Sequence, residues 1–109
     1  MEKEERLKIY DEAEKEWGKV AQYDQAIEEM GELIVAINKY KRKCLYGEYV
    51  ENKQIEDNLI EELADVFMCI EQLTAYVGEE RVKNMLDIKM EKLKGQIAYM
   101  KSKKDAENE

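Results

Sequence analysis

Residues 59–66 read Leu59-Ile60-Glu61-Glu62-Leu63-Ala64-Asp65-Val66, and they decide what kind of fold the chain adopts. Apolar side chains recur three and four apart, with carboxylates set among them. That is a helical spacing, because residues three and four apart share one face of a helix. Followed outward, the pattern predicts a helix over residues 54–77. Ile55, Leu59, Leu63, Val66, Ile70, Leu73 and Val77 form one stripe, and Ile60, Ala64, Phe67 and Met68 spread apolar surface around most of the remaining circumference. A helix apolar nearly all round is expected to be buried on nearly all sides. So short a chain can hardly enclose it, and a partner subunit is expected. Carboxylates embedded in such a helix are costly unless something binds them.

The same device occurs upstream, at Glu28-Glu29-Met30-Gly31-Glu32, inside a second predicted helix over 19–43. There Val20, Tyr23, Ile27, Met30, Ile34 and Ile37 make the apolar stripe. At about 100° per residue, Gln22, Gln25, Glu29, Glu32 and Ala36 fall on a narrow strip beside it, like the lip of a cleft. On the later helix Asn58, Glu62, Asp65, Cys69 and Tyr76 share an equivalent strip. If the two helices are neighbours, Glu29, Glu32, Glu62 and Asp65 converge. Like charges cannot share a partly buried site unpaired. Clustered carboxylate oxygens suit Mg²⁺, with Mn²⁺ as an alternative.

The rest of the chain is read around these two helices. A first helix is predicted over 2–17, with Leu7, Tyr10, Ala13 and Trp17 as a thin stripe and Gly18 as its stop. Trp17 reads equally well as a core residue or as part of a ligand pocket. Residues 44–53 break the period and predict a loop around Gly47, with Tyr46 and Tyr49 expected to pack on the bundle. Gly78 ends the third helix, and Glu79-Glu80 open a fourth over 79–100. Its stripe is Val82, Leu86, Met90, Leu93, Ile97 and Met100, with Lys89 projecting from within. Lys89 either snorkels to solvent or faces the acidic cluster and its ligand. Residues 101–109 are expected to fray. The expectation is an all-α, four-helix bundle-like domain over residues 1–100 with a polar tail, assembled as a homodimer or homotetramer.

Composition narrows the function. The 109 residues carry a net charge of −8, which disfavours the basic surface that nucleic-acid binding needs. No apolar run is long enough to span a membrane, and the charged N-terminus does not read as a signal peptide, so a cytoplasmic protein is expected. Cys44 and Cys69 have no redox or zinc spacing and are expected as free thiols. There is no His, one Ser (Ser102) and one Thr (Thr74), which removes Ser-His-Asp and Cys-His machinery. Carboxylates, lysines and a metal are what remains for catalysis.

Glu-Glu-x-x-Glu followed by Glu-Glu-x-x-Asp on successive helices resembles the MazG-like all-α nucleoside triphosphate pyrophosphohydrolases, relatives of the dimeric dUTPases and dCTP pyrophosphatases. The resemblance runs from Trp17 to about Ile97. It takes in Trp17-Gly18, Gln22, Ala26-Ile27-Glu28-Glu29-Met30-Gly31-Glu32-Leu33, Glu61-Glu62-Leu63-Ala64-Asp65-Val66, and Lys89 with Lys92-Leu93. Two departures are visible. The 29 residues between Glu32 and Glu62 form a long spacer for the family, and Gln96 stands where an Arg is expected. The resemblance implies Mg²⁺ at Glu29, Glu32, Glu62 and Asp65. It further implies hydrolysis of a nucleoside triphosphate to monophosphate and pyrophosphate. Glu28 or Glu61 would activate water, and Lys89 and Lys92 would meet the phosphates. Trp17, Gln22 and Gln25 would hold the base. The rival from another class is a non-catalytic helical interaction module with the same fold.

Overall fold

A computed structural model describes residues 1–46 and 52–108 of the chain. Among the described residues every regular element is helical: α1 (Lys3–Trp17), α2 (Lys19–Tyr40), α3 (Lys53–Val77) and α4 (Glu79–Glu107). None is long and apolar enough to cross a membrane. The chain forms two compact units, Met1–Ala75 and Tyr76–Glu109. The first unit holds α1, α2 and most of α3, and the second holds α4.

The breaks follow from local chemistry. Gly18 stands between α1 and α2 at φ 88° and ψ 154°, backbone that only glycine adopts without strain. Its N–H still donates to the Glu14 carbonyl at 2.7 Å, so α1 ends with a satisfied carbonyl. At the other end of α2 the helix widens into one π-helical turn over Lys41–Leu45, closed by Tyr46 N–H on the Lys41 carbonyl at 3.0 Å. Lys41 lies 5.8 Å from the centre of the Tyr46 ring, a cation–π contact at the surface. Tyr46 is exposed rather than packed on the bundle. The predicted loop therefore begins later than 44, and its part at Gly47 and Tyr49 lies outside the described residues. Asn52 opens α3 as an N-cap, its Oδ1 accepting from the N–H groups of Gln54 at 3.1 Å and Ile55 at 3.3 Å.

Inside the first unit, α1 is pinned to α3 by one polar knot. Arg6 grips Glu71 with two parallel hydrogen bonds, Nε to Oε1 at 2.7 Å and Nη2 to Oε2 at 3.0 Å. The Tyr10 hydroxyl donates to the same carboxylate at 2.7 Å. These contacts hold the Glu71 carboxyl down at about 2, and burial with the bond to Glu71 pushes the Tyr10 phenol up to about 12.

The inward faces of α2 and α3 differ from the expected ones. On α2, Ala26 and Ala36 are buried, and Gln22, Glu29, Leu33 and Tyr40 are half-buried. Val20, Ile27, Ile34 and Ile37, the core predicted from hydrophobicity, are exposed. On α3, Val66, Cys69 and Gln72 are buried beside half-buried Glu62 and Asp65. Leu63, Phe67 and Ile70 are exposed. Both helices thus turn part of the strips read as cleft edges inward, while Gln25, Glu32 and Asn58 on them stay exposed. Ala26 and Ala36, not the large aliphatic residues, are the fully buried positions of α2. The expected burial of α3 on nearly all sides is not realised within one chain.

In the second unit α4 runs on to Glu107, so the tail expected to fray is helical. Residues 101–107 are mostly lysine, acid and alanine, good helix formers with no Pro or Gly to stop them. Lysines in the last turns also suit the negative end of the helix dipole. α4 buries none of its residues.

Candidate metal centre and adjoining cavity

α2 and α3 run antiparallel, so that Gln22 meets Gln72 and, further along, the acidic segments meet each other. Each of Glu29, Glu32 and Glu62 offers one carboxylate oxygen, and these oxygens lie within 4.8 Å of one another. Glu29 and Glu32 come from one helix, three residues apart, and Glu62 from the facing helix. Asp65, one turn on from Glu62, is half-buried and lies outside the tight group of three. Its charge still acts on Glu29, Glu62 and Cys69.

The electrostatics are those of like charges crowded together. Burial, then the charges of Glu32, Asp65 and Glu62, raises the Glu29 carboxyl above its usual range. Burial, then the charges of Glu32, Asp65 and Glu61 and a side-chain hydrogen bond with Glu32, raises Glu62 likewise. Cys69, buried and free, is pushed up by burial and by Glu29 and Asp65. Gln25 Nε2 donates to Glu29 Oε1 at 2.8 Å. Glu29 Oε2 and Glu62 Oε2, in contrast, are buried with no hydrogen-bond partner. Two orphaned carboxylate oxygens in one all-oxygen group fit a hard divalent cation. The group of three is all oxygen, with no nitrogen or sulfur donor within it.

A cavity of about 640 Å³ adjoins this centre, lined by Tyr10, Trp17, Gln22, Gln25, Met68 and Gln72 among others. Trp17, Gln22 and Gln25, expected together from the sequence, share its wall. Trp17 is 68% exposed, so it stands at the rim rather than in a core. Glu61 lines a second cavity of about 540 Å³ with Lys39, Asn52 and Asn58. Glu28 is exposed and outside the group of three. Lys89 and Lys92 are exposed on α4, in the other unit.

Three participants escaped the sequence reading: Gln72, Met68 and Lys39. Gln72 had a signal. It sits three residues beyond Cys69 on the strip that carries Glu62 and Asp65, a polar residue where an apolar one was free to stand. Lys39 and Met68 had none, because lysine and methionine at such spacings are ordinary.

No known protein family, curated protein or solved structure matches this chain.

Proposed function

We propose that the chain is a divalent-metal-dependent nucleoside triphosphate pyrophosphohydrolase of MazG-like type, acting as a homo-oligomer. One observation carries this reading: two buried carboxylate oxygens, Glu29 Oε2 and Glu62 Oε2, without partners in a three-carboxylate group. Glu29, Glu32 and Glu62 would hold Mg²⁺, with Asp65 completing the negative field. When bound, Mg²⁺ offsets phosphate charge and lowers the pKa of bound water. The flanking cavity with Trp17 at its rim suits a base, which leaves the triphosphate to run towards the carboxylates. Glu28 or Glu61, each next in sequence to a carboxylate of the group, would accept a proton from attacking water. No Gly-rich phosphate loop occurs in the sequence, which favours attack at the α-phosphorus over the γ-phosphorus.

The test is a panel of nucleoside triphosphates with Mg²⁺ in ¹⁸O-labelled water. Monophosphate and pyrophosphate are expected in equal amounts, with label in the monophosphate alone. Diphosphate with labelled inorganic phosphate would overturn the chemistry. Asp65→Asn is expected to cut the rate severely while leaving apo stability unchanged or higher, since it removes a like charge. The exposed apolar faces of α2 and α3 favour the second reading, a helical interaction module. A chain that neither gains melting temperature with Mg²⁺ nor turns over any triphosphate would support that module instead.

A further inference from the structure

Gln72 is the buried polar residue of the described core, 6% exposed, at the wall of the cavity of about 640 Å³. Burying a carboxamide costs free energy that an apolar side chain of the same size avoids. Its Nε2 donates to Gln22 Oε1 at 2.9 Å. That bond commits the Gln22 oxygen to α3 and turns its Nε2, a donor, away from Gln72. Gln25 is held the opposite way round. Its Nε2 is committed to Glu29, which leaves Oε1 as the acceptor. Gln22 and Gln25 are three apart on one helix and share the cavity wall. A free carboxamide can flip and present either end. Here each has one end engaged, and the engaged ends are of opposite sense.

On the footing of the proposed function, we infer that Gln72 is a positioning residue for base recognition. It fixes the Gln22 amide so that, with Gln25, the cavity presents one donor and one acceptor in set order. The ligand is a planar heterocycle with a hydrogen-bond acceptor and an N–H donor side by side, the amide- or amidine-type edge of a nucleobase. Trp17 at the rim gives such a ring a face to stack on. A site built to hydrogen-bond an N–H discriminates strongly against an analogue that lacks it, because its own polar groups are then left unpaired.

The chain supplies its own reporter, because Trp17 is its one tryptophan. The full-length protein is titrated with uridine, cytidine, 3-methyluridine and N4,N4-dimethylcytidine, without metal, and Trp17 fluorescence is followed. At least one unblocked nucleoside is expected to quench, and its methylated counterpart to bind about tenfold more weakly or worse. Gln72→Met, close to isosteric, is expected to weaken the unblocked nucleoside by about tenfold and to bring the two affinities of each pair together. Equal binding of blocked and unblocked nucleosides to the wild-type chain overturns the inference, and that comparison needs no variant to fold. The absence of quenching by every nucleoside overturns it too, even if triphosphates are hydrolysed. Nucleoside discrimination in a chain that hydrolyses nothing would defeat the pyrophosphohydrolase reading and leave this inference standing.

Discussion

Glu62 and Glu71 occupy the same helix and respond to acid in opposite ways. Glu71, gripped by Arg6 and Tyr10, has its carboxyl at about 2 in the folded chain, against an ordinary 4.5. A depressed folded value means a contribution that is complete above about 4.5 and lost as the pH falls towards about 2. Glu62 is raised, by burial first and neighbouring carboxylates second. A raised carboxyl favours the folded chain when protonated, so its contribution is present in acid and lost as pH rises through its folded value. Glu71→Gln should therefore lower the melting temperature at neutral pH by about 5 °C, the effect of about 1 kcal/mol in a domain of this size. It should also flatten the acid limb between 4.5 and about 2. Glu62→Gln should act the other way, raising apo melting temperature at neutral pH while changing little in acid. Thermal melts across the pH range on the two variants check both signs. A Glu62→Gln chain that melts lower at neutral pH would mean that the carboxylate already has a partner.

At the scale of the helix, Gly18 is the joint between α1 and α2. Its φ of 88° with ψ of 154° is strained for any side chain, although an added Cβ would meet nothing within 4 Å. Gly18→Ala should therefore destabilise through the backbone alone, by about 1–3 kcal/mol. Gly31→Ala, inside α2 and also in open space, should stabilise by up to about 1 kcal/mol. Denaturant midpoints of the two variants separate conformation from crowding, and two changes of the same sign would refute the assignment. The helices and their glycine breaks were legible in the sequence, because periodicity and the absence of Pro are local properties. The end of α4 was misjudged because charge was weighed above helix propensity at residues 101–107. The inward faces were legible only in part. Counting large apolar residues selects Ile27 and Ile34, whereas Ala26 and Ala36 face inward. Close approach rewards small side chains, and hydrophobicity alone does not rank them. For the candidate centre, Glu29, Glu32 and Glu62 were readable from spacing. Gln72 had its signal on the same strip, but its pairing with Gln22 was not readable, since that partner lies 50 residues away on another helix.

Across the whole molecule, apolar surface remains on the outside of several elements. Ile27, Val35 and Phe67 of the first unit are 69%, 66% and 72% exposed, and Leu86 and Met90 of α4 are 57% and 55% exposed. Monomeric proteins scatter such residues singly, whereas repeated exposure along helix faces marks interaction surfaces. Self-association is accordingly expected. Sedimentation at micromolar concentration should find dimers or larger species and no stable monomer, with a melting temperature that rises with protein concentration. A compact, well-folded monomer with a concentration-independent melt would refute this.

Glu29 has one oxygen bonded to Gln25 and the other buried among carboxylates without a partner. On the proposed assignment this single side chain belongs to two sites at once, so neither can be filled without the other registering it. Reciprocity then requires that the factor by which a nucleoside changes Mg²⁺ affinity equal the factor by which Mg²⁺ changes nucleoside affinity. Paired calorimetric titrations, each ligand measured with and without the other, should return the same factor, different from one. The carboxylate would thereby serve as a coincidence detector, answering to base and metal jointly.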